Sequence, residues 1–160
     1  TEQSDVVRRM SRCFIEQKAA AVIAFEEVPD EDVSQYGIAL PRTDGEVFEV
    51  ADLVEKPDRR DAPSNLAIAA RYVLSPAIFD ALDHTQPGKG GEIQLTDAIR
   101  TMIRGGGRVF GVRLRHDERR YDIGNFDSYF KAFIEFAMVE AKCGPALRRH
   151  FKAWLHVQRP

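Results

Sequence analysis

Ala19-Ala20-Ala21-Val22-Ile23-Ala24-Phe25-Glu26-Glu27-Val28 is a short apolar run, closed by two acids and stopped by Pro29. Its length and its β-branched residues predict a strand buried on both faces. Just upstream, Val6, Val7, Met10, Cys13 and Phe14 recur at helical spacing among arginines and acids, which predicts an amphipathic helix over residues 4–18 with Ser4 or Asp5 as its cap. A helix feeding a buried strand is the signature of an α/β layer fold.

Downstream, Tyr36-Gly37-Ile38-Ala39-Leu40 and Glu46-Val47-Phe48-Glu49-Val50 read as further strands, the second running on to Leu53-Val54-Glu55-Lys56-Pro57. Pro57 stops the extension where a carboxylate and an ammonium stand side by side. Leu66 to Leu74 is another strand candidate, followed by a helix opening on Ser75-Pro76 with Ile78, Phe79 and Leu82 on its apolar face. Gln86 to Gly91 reads as a flexible loop, Asp97 to Arg104 as a helix stopped by three glycines, and Val109 to Leu114 as a strand. A long helix is predicted from near Phe126. Its aromatic residues cover much of its circumference, so it is expected to be well buried. Gly144-Pro145 is expected to break it, and Ala146 to Val157 to form a last amphipathic helix. The expected division is 1–142 for the main domain and 143–160 for the terminal helix.

The 160 residues suffice for one domain with a real core. A formal net charge of −2 gives no electrostatic case for nucleic acid or an anionic membrane as a partner. No apolar run approaches the roughly 20 residues of a membrane span, and Thr1-Glu2-Gln3-Ser4-Asp5 does not read as a signal peptide. Cys13 and Cys143 match no metal or redox spacing, which fits a reducing cytoplasm. Phosphate-loop, zinc-protease, calcium-loop and nucleophile-elbow motifs are missing; Gly88-Lys89-Gly90-Gly91 has no hydroxyl residue after its lysine. The four histidines show no ligand spacing.

What remains is a series of short motifs in a set order. These are Tyr36-Gly37, Val54-Glu55-Lys56-Pro57, Ser64-Asn65-Leu66-Ala67-Ile68 with Arg71-Tyr72-Val73-Leu74, then Gly90-Gly91-Glu92-Ile93-Gln94-Leu95-Thr96-Asp97, and Tyr121-Asp122-Ile123-Gly124. Read alone, Glu55-Lys56 is a solvated ion pair before a turn and Asp122 a helix cap. Together with residues 22–29, the motifs closely resemble the bacterial UTP–glucose-1-phosphate uridylyltransferase (UDP-glucose pyrophosphorylase) family from about Phe14 to Phe136.

The resemblance implies part of a Rossmann-like, three-layer α/β nucleotidyltransferase fold with a mixed central sheet and C-terminal helices. It implies transfer of a uridylyl group from UTP to glucose 1-phosphate with release of pyrophosphate, and Mg²⁺ as cofactor. Lys56 matches the lysine that contacts the sugar phosphate and stands as the catalytic candidate. Glu55 matches the glutamate on the glucose hydroxyls, Gly37 a glycine whose backbone lies against the sugar, and Asp122 a metal-binding aspartate. Tyr72 either lines the sugar pocket or packs in the core. Asn65 either bonds sugar hydroxyls or caps a turn, and Thr96 and Asp97 read as helix-capping residues before ligands. Ala70 stands where the family often has glycine, which is expected to narrow the sugar pocket, and Ile123 where it often has cysteine.

The family's glycine-rich nucleotide loop, with the lysine and glutamate that follow it and its first metal-binding aspartate, has no match here. The expectation is therefore a sugar-binding and C-terminal portion that is inactive alone, with several sheet edges exposed. Thymidylyl transfer to the same sugar phosphate is the close variant. A non-catalytic sugar-phosphate-binding or oligomerisation module is the alternative of another class. Phe151, Trp154 and Leu155 need cover, either from a second copy in a homo-oligomer or from their own domain.

Overall fold

The computed structural model describes residues 4–88 and 91–157; Lys89 and Gly90 of the expected loop, and the ends of the chain, lie outside the described residues. Helix α1 (Val6–Glu16) leads into β1 (Ala21–Glu27), and a 3₁₀ turn at Val33–Gln35 leads into β2 (Gly37–Pro41). Then come β3 (Val47–Glu55), β4 (Leu66–Leu74), α2 (Ala77–Asp83), α3 (Leu95–Arg104) and β5 (Val109–Arg113). Helices α4 (Phe126–Val139) and α5 (Gly144–Val157) complete the order. By its contacts the chain divides into two units, Ser4–Glu118 and the residues from Arg119 on. The expected boundary at 142–143 falls inside the second unit, between α4 and α5.

The strand β1 behaves as its composition predicts. Ala21, Ile23 and Phe25 enter one core, with Ile78 of α2 and Ile99 of α3. Val22 and Ala24 enter another, with Met10 and Cys13 of α1 and Phe110 and Val112 of β5. Alternate side chains thus bury both faces of one strand, with helices on either side. In the first core the Phe25 and Phe48 rings lie 5.4 Å apart, and burying each is worth about 1.5–3 kcal/mol. Phe48 lies across from Gly111 of β5. A Cβ at Gly111 would come within 2.2 Å of that ring, so the glycine makes room for the aromatic.

The sheet is mixed, as expected: β1–β5 is parallel, and β1–β4, β2–β4, β2–β3 and β3–β5 are antiparallel. The expected exposed edges are not found among the described residues, because the order β1-β4-β2-β3-β5 closes back on β1. The cause is the length of β3. Its first residues, Val47 to Glu49, pair with β5, while Val50 to Glu55 pair with β2. One strand therefore joins the two sides.

An ion-pair network, not foreseen, fastens α1 to this ring. Arg9 bonds Asp5 at 2.8 Å, Glu46 at 2.7 Å, the carboxylate of Glu118 and the carbonyl of Arg113 at 3.0 Å. Burial alone would raise the Glu118 pKa. The N–H of Arg115, the Ser4 hydroxyl and Arg9 outweigh it and hold the carboxyl below its usual range.

Between β1 and β4 the register shifts. Ile23 faces Tyr72 but Phe25 faces Ile68, so β4 bulges between them. Ala70 sits in the bulge, exposed, at φ +51°. A left-handed backbone costs an alanine about 1–2 kcal/mol and a glycine almost nothing. Ala70→Gly is expected to stabilise the chain by about 0.5–1 kcal/mol, after the larger unfolded-state entropy of glycine is subtracted, raising Tm by about 1–4 °C. Thermal melts followed by circular dichroism check this, and a lower Tm would contradict it.

In the second unit the expectation for the long helix is corrected. Phe126, Phe130, Phe133 and Phe136 of α4 are all more than half exposed, and among its described residues only Ala132 is buried. An apolar residue on every side does not by itself supply a neighbour for every side. Gly144 and Pro145 open α5 rather than preceding it, since proline suits a first helical turn. Trp154 and Leu155 of α5 stay exposed in the single chain.

Candidate functional site

Glu55 is the last residue of β3 and lies opposite Gly37, the first of β2. Its side chain is only 15% exposed. Its Oε2 accepts a 2.6 Å hydrogen bond from the hydroxyl of Thr96, which is buried on the first turn of α3. A second contact sets the register of that helix. Arg100, one turn further along α3, grips Asp52 of β3 with two bonds of 2.7 and 2.8 Å. The fork-to-carboxylate geometry is directional as well as charged. The bond from Arg100 is the main reason the Asp52 carboxyl is held below its ordinary pKa.

Gly37 closes the floor of this cluster. A Cβ built there would meet Ile68 Cδ1 at 2.7 Å, Glu55 Oε2 at 3.0 Å and Thr96 Oγ1 at 3.1 Å. The glycine is required by close approach, as its backbone is not left-handed.

Lys56 leaves the strand at φ +45°. Its N–H still bonds the Tyr36 carbonyl at 2.9 Å, so the β2–β3 pairing holds to the end of the strand. On a regular strand Lys56 and Glu55 would point to opposite faces. The left-handed turn brings Nζ to 4.0 Å from Glu55 Oε1, with the lysine side chain 48% exposed. A non-glycine residue held here carries strain of the kind that gathers at functional sites. The buried Pro57 follows it.

Tyr72 of β4 packs against the core formed by β1, β3 and α3. Its hydroxyl pKa is raised by burial first and then by the negative charge of Glu55, which places the phenol within electrostatic reach of that carboxylate. Of the two alternatives for Tyr72, the structure shows the ring packed against the core. Asn65 is placed elsewhere. Its carbonyl accepts from Val28 N–H at 3.1 Å, and it lines a depression with Asp30, Val33, Arg59, Ala62 and Ser64.

Asp122 belongs to the second unit. Its Oδ1 accepts from the Gly124 N–H at 3.0 Å, its Oδ2 lies 3.5 Å from Arg120, and the side chain is 69% exposed. The cap of α4 is Asn125, whose Oδ1 accepts from Ser128 N–H at 3.0 Å, so the capping alternative for Asp122 is filled by another residue. Among the described residues no three His, Cys, Asp or Glu side chains group as a metal site. One exposed carboxylate fits Mg²⁺ as a single donor, with the remaining ligands coming from phosphate oxygens and water.

Thr96 is the contact that sequence reasoning missed. A threonine just before the expected helix start at Asp97 looks like a cap, yet α3 begins at Leu95, with Gln94 in the cap position and no side-chain cap bond. The available signal was the apposition of two motifs distant in sequence, and only the closed sheet brings them together.

Residues 3–138 match the model of the nucleotidyl transferase family. The UTP–glucose-1-phosphate uridylyltransferase of Pseudomonas aeruginosa is 39% identical over 132 residues, which is 82% of this chain and 46% of that protein. A UDP-glucose pyrophosphorylase solved in complex with UDP-glucose superposes with TM-score 0.76 at 38% identity, covering 84% of this chain and 50% of the other. The UTP-bound enzyme from Acinetobacter baumannii superposes with TM-score 0.77 at 34% identity, covering 98% and 51%. The chain spans about half the length of the relatives it matches. Fold, order of motifs and family match agree over most of the residues, and the chain belongs to the nucleotidyl transferase family.

Proposed function

We propose that this chain supplies the sugar-phosphate-binding part of a UTP–glucose-1-phosphate uridylyltransferase. The observation that carries the reading is the Gly37–Glu55–Lys56 arrangement: a held carboxylate, an ammonium 4.0 Å from it, and a glycine floor. Similarity to proteins named for this activity supports it. In the reaction a phosphate oxygen of glucose 1-phosphate attacks the α-phosphorus of UTP, the bond to the bridging oxygen breaks, and pyrophosphate departs. No covalent enzyme intermediate is required, so the protein's task is to position two anions and offset their charge.

Glu55 accepts hydrogen bonds from sugar hydroxyls, Gly37 lets the sugar approach the backbone, and Lys56 offsets the phosphate charge. Asp122 is the residue that would hold Mg²⁺, which when bound supplies further neutralisation of phosphate charge. Asn65, in its own depression, has weaker support as a sugar ligand. Among the described residues no helix is long and apolar enough to cross a membrane.

Pyrophosphate release is the decisive assay. The complete gene product should turn over UTP with glucose 1-phosphate, and the 160-residue chain alone should not. A strong preference for dTTP overturns the uridylyl assignment, and activity of the chain alone overturns the division of labour. Asp122→Asn should move the Mg²⁺ titration of the complete protein at least about tenfold higher, given that even outer-shell changes cost that much. An unchanged titration removes Asp122 as a ligand.

A further inference from the structure

We propose that Thr96 is a positioning residue that holds the plane of the Glu55 carboxylate toward the sugar. The inference rests on the functional reading above and adds a residue to it. Thr96 comes from α3, whereas the rest of the cluster stands on β2 and β3.

A glutamate at a strand end has three side-chain torsions, and a free one rotates among several rotamers. Here the Thr96 hydroxyl donates to Oε2 at 2.6 Å and so removes that freedom. Hydrogen bonds to a charged acceptor are short and about twice as strong as neutral ones, so the bond is suited to this work. Oε1 remains on the side of Lys56 Nζ, 4.0 Å away. The carboxylate therefore has one oxygen committed to the protein and the other beside the ammonium. A sugar phosphate would present a hydroxyl to the carboxylate and its phosphate to the ammonium.

The donor is itself held. Thr96 is 6% exposed, so its hydroxyl has little access to competing water. The Arg100–Asp52 fork, one turn away, stops α3 from sliding along β3. Gly37 leaves the space into which Thr96 and Glu55 converge, since a Cβ there would lie 3.1 Å from one and 3.0 Å from the other. Three elements thus fix one carboxylate. This is how a binding group is held ready so that little ordering cost falls on the ligand.

The first test needs no ligand. In the intact chain, three-bond couplings of a selectively labelled Glu55 should report one rotamer, and the Thr96 hydroxyl proton should exchange slowly enough to be seen by NMR. Averaged couplings in the wild type overturn the proposal. Thr96→Val keeps shape and burial but removes the donor, and should free Glu55; Thr96→Ser should keep it fixed.

The second test separates positioning from general damage. Thr96→Val should weaken glucose 1-phosphate binding about tenfold, as expected for losing a hydrogen bond to a charged group. Binding of inorganic phosphate, which reads Lys56 alone, should change less than about twofold, and Thr96→Ser should restore sugar-phosphate affinity to within about threefold of wild type. Equal weakening of both ligands, or no weakening of either, overturns the proposal. A wild-type chain and complete gene product that both ignore glucose 1-phosphate would sink the uridylyltransferase reading instead. The couplings would still decide whether Thr96 positions Glu55.

Discussion

Lys56→Ala in the complete gene product is expected to lower kcat/KM for glucose 1-phosphate by about 10²–10³-fold, the range seen when one preorganised charge-stabilising donor is removed. Among Gly37, Glu55, Lys56, Tyr72 and Thr96 the ammonium is the group that can oppose phosphate charge, since Glu55 is an anion and the others carry no charge, while the nearby Arg100 is engaged by Asp52. The loss should be confined to function. The lysine side chain is 48% exposed, and its ion pair with Glu55 is long at 4.0 Å, so little folding energy resides in it. Alanine keeps the same left-handed cost at φ +45°, so Tm should move by less than about 2 °C. Lys56→Arg should recover only part of the activity, because a planar fork is not a point charge. Kinetics within about threefold of wild type for Lys56→Ala would exclude the proposed role, whatever the similarity to known enzymes.

Much of the first unit was legible from periodicity alone. Residues 21–27 formed the doubly buried strand that the Ala19–Val28 run predicts, and α1, β2, β4 and β5 fall within a residue or two of their expected limits. These elements are decided locally, by apolar spacing and by Pro and Gly punctuation. Three features were not legible, each for a physical reason. The closure of the sheet depends on β3 pairing with β5, more than sixty residues away in sequence, and no local pattern encodes such a partner. The left-handed turns at Lys56 and Ala70 fall on residues that do not advertise them; only glycine at such a position announces a positive φ. The exposure of α4 contradicts the inference from apolar content to burial. That inference holds only when enough neighbouring surface is present, and among the described residues of α4 Ala132 alone is buried. Of the candidate site, Gly37, Glu55 and Lys56 were singled out because a family resemblance put them in register, while Thr96 was hidden behind its commoner role at helix starts.

Gly37→Ala offers the sharpest check on that register, because two opposing effects can be weighed. Alanine lowers the entropy of the unfolded chain relative to glycine, which favours the folded state by about 0.4–1 kcal/mol wherever the backbone and space allow. The backbone allows it here, but the space does not. The new methyl would lie 2.7 Å from Ile68 Cδ1, 3.0 Å from Glu55 Oε2 and 3.1 Å from Thr96 Oγ1. Ile68 can yield by turning its distal end, at small cost. Glu55 and Thr96 cannot both retreat and keep their 2.6 Å bond. Overpacking of this kind costs about 1–3 kcal/mol, so the net effect should be a destabilisation of about 0.5–2 kcal/mol. The loss of function should exceed it, since the carboxylate moves away from the geometry that meets the sugar. Affinity for glucose 1-phosphate should fall about 10–100-fold, by lost acceptor geometry together with the methyl standing where the sugar approaches the backbone. Calorimetric titration and a thermal melt on the same preparation measure both quantities. A variant with raised Tm and unchanged affinity would show that the Gly37 floor does not bound a ligand. A variant with lowered Tm and unchanged affinity would leave Gly37 a packing residue and shift the candidate site away from the end of β3.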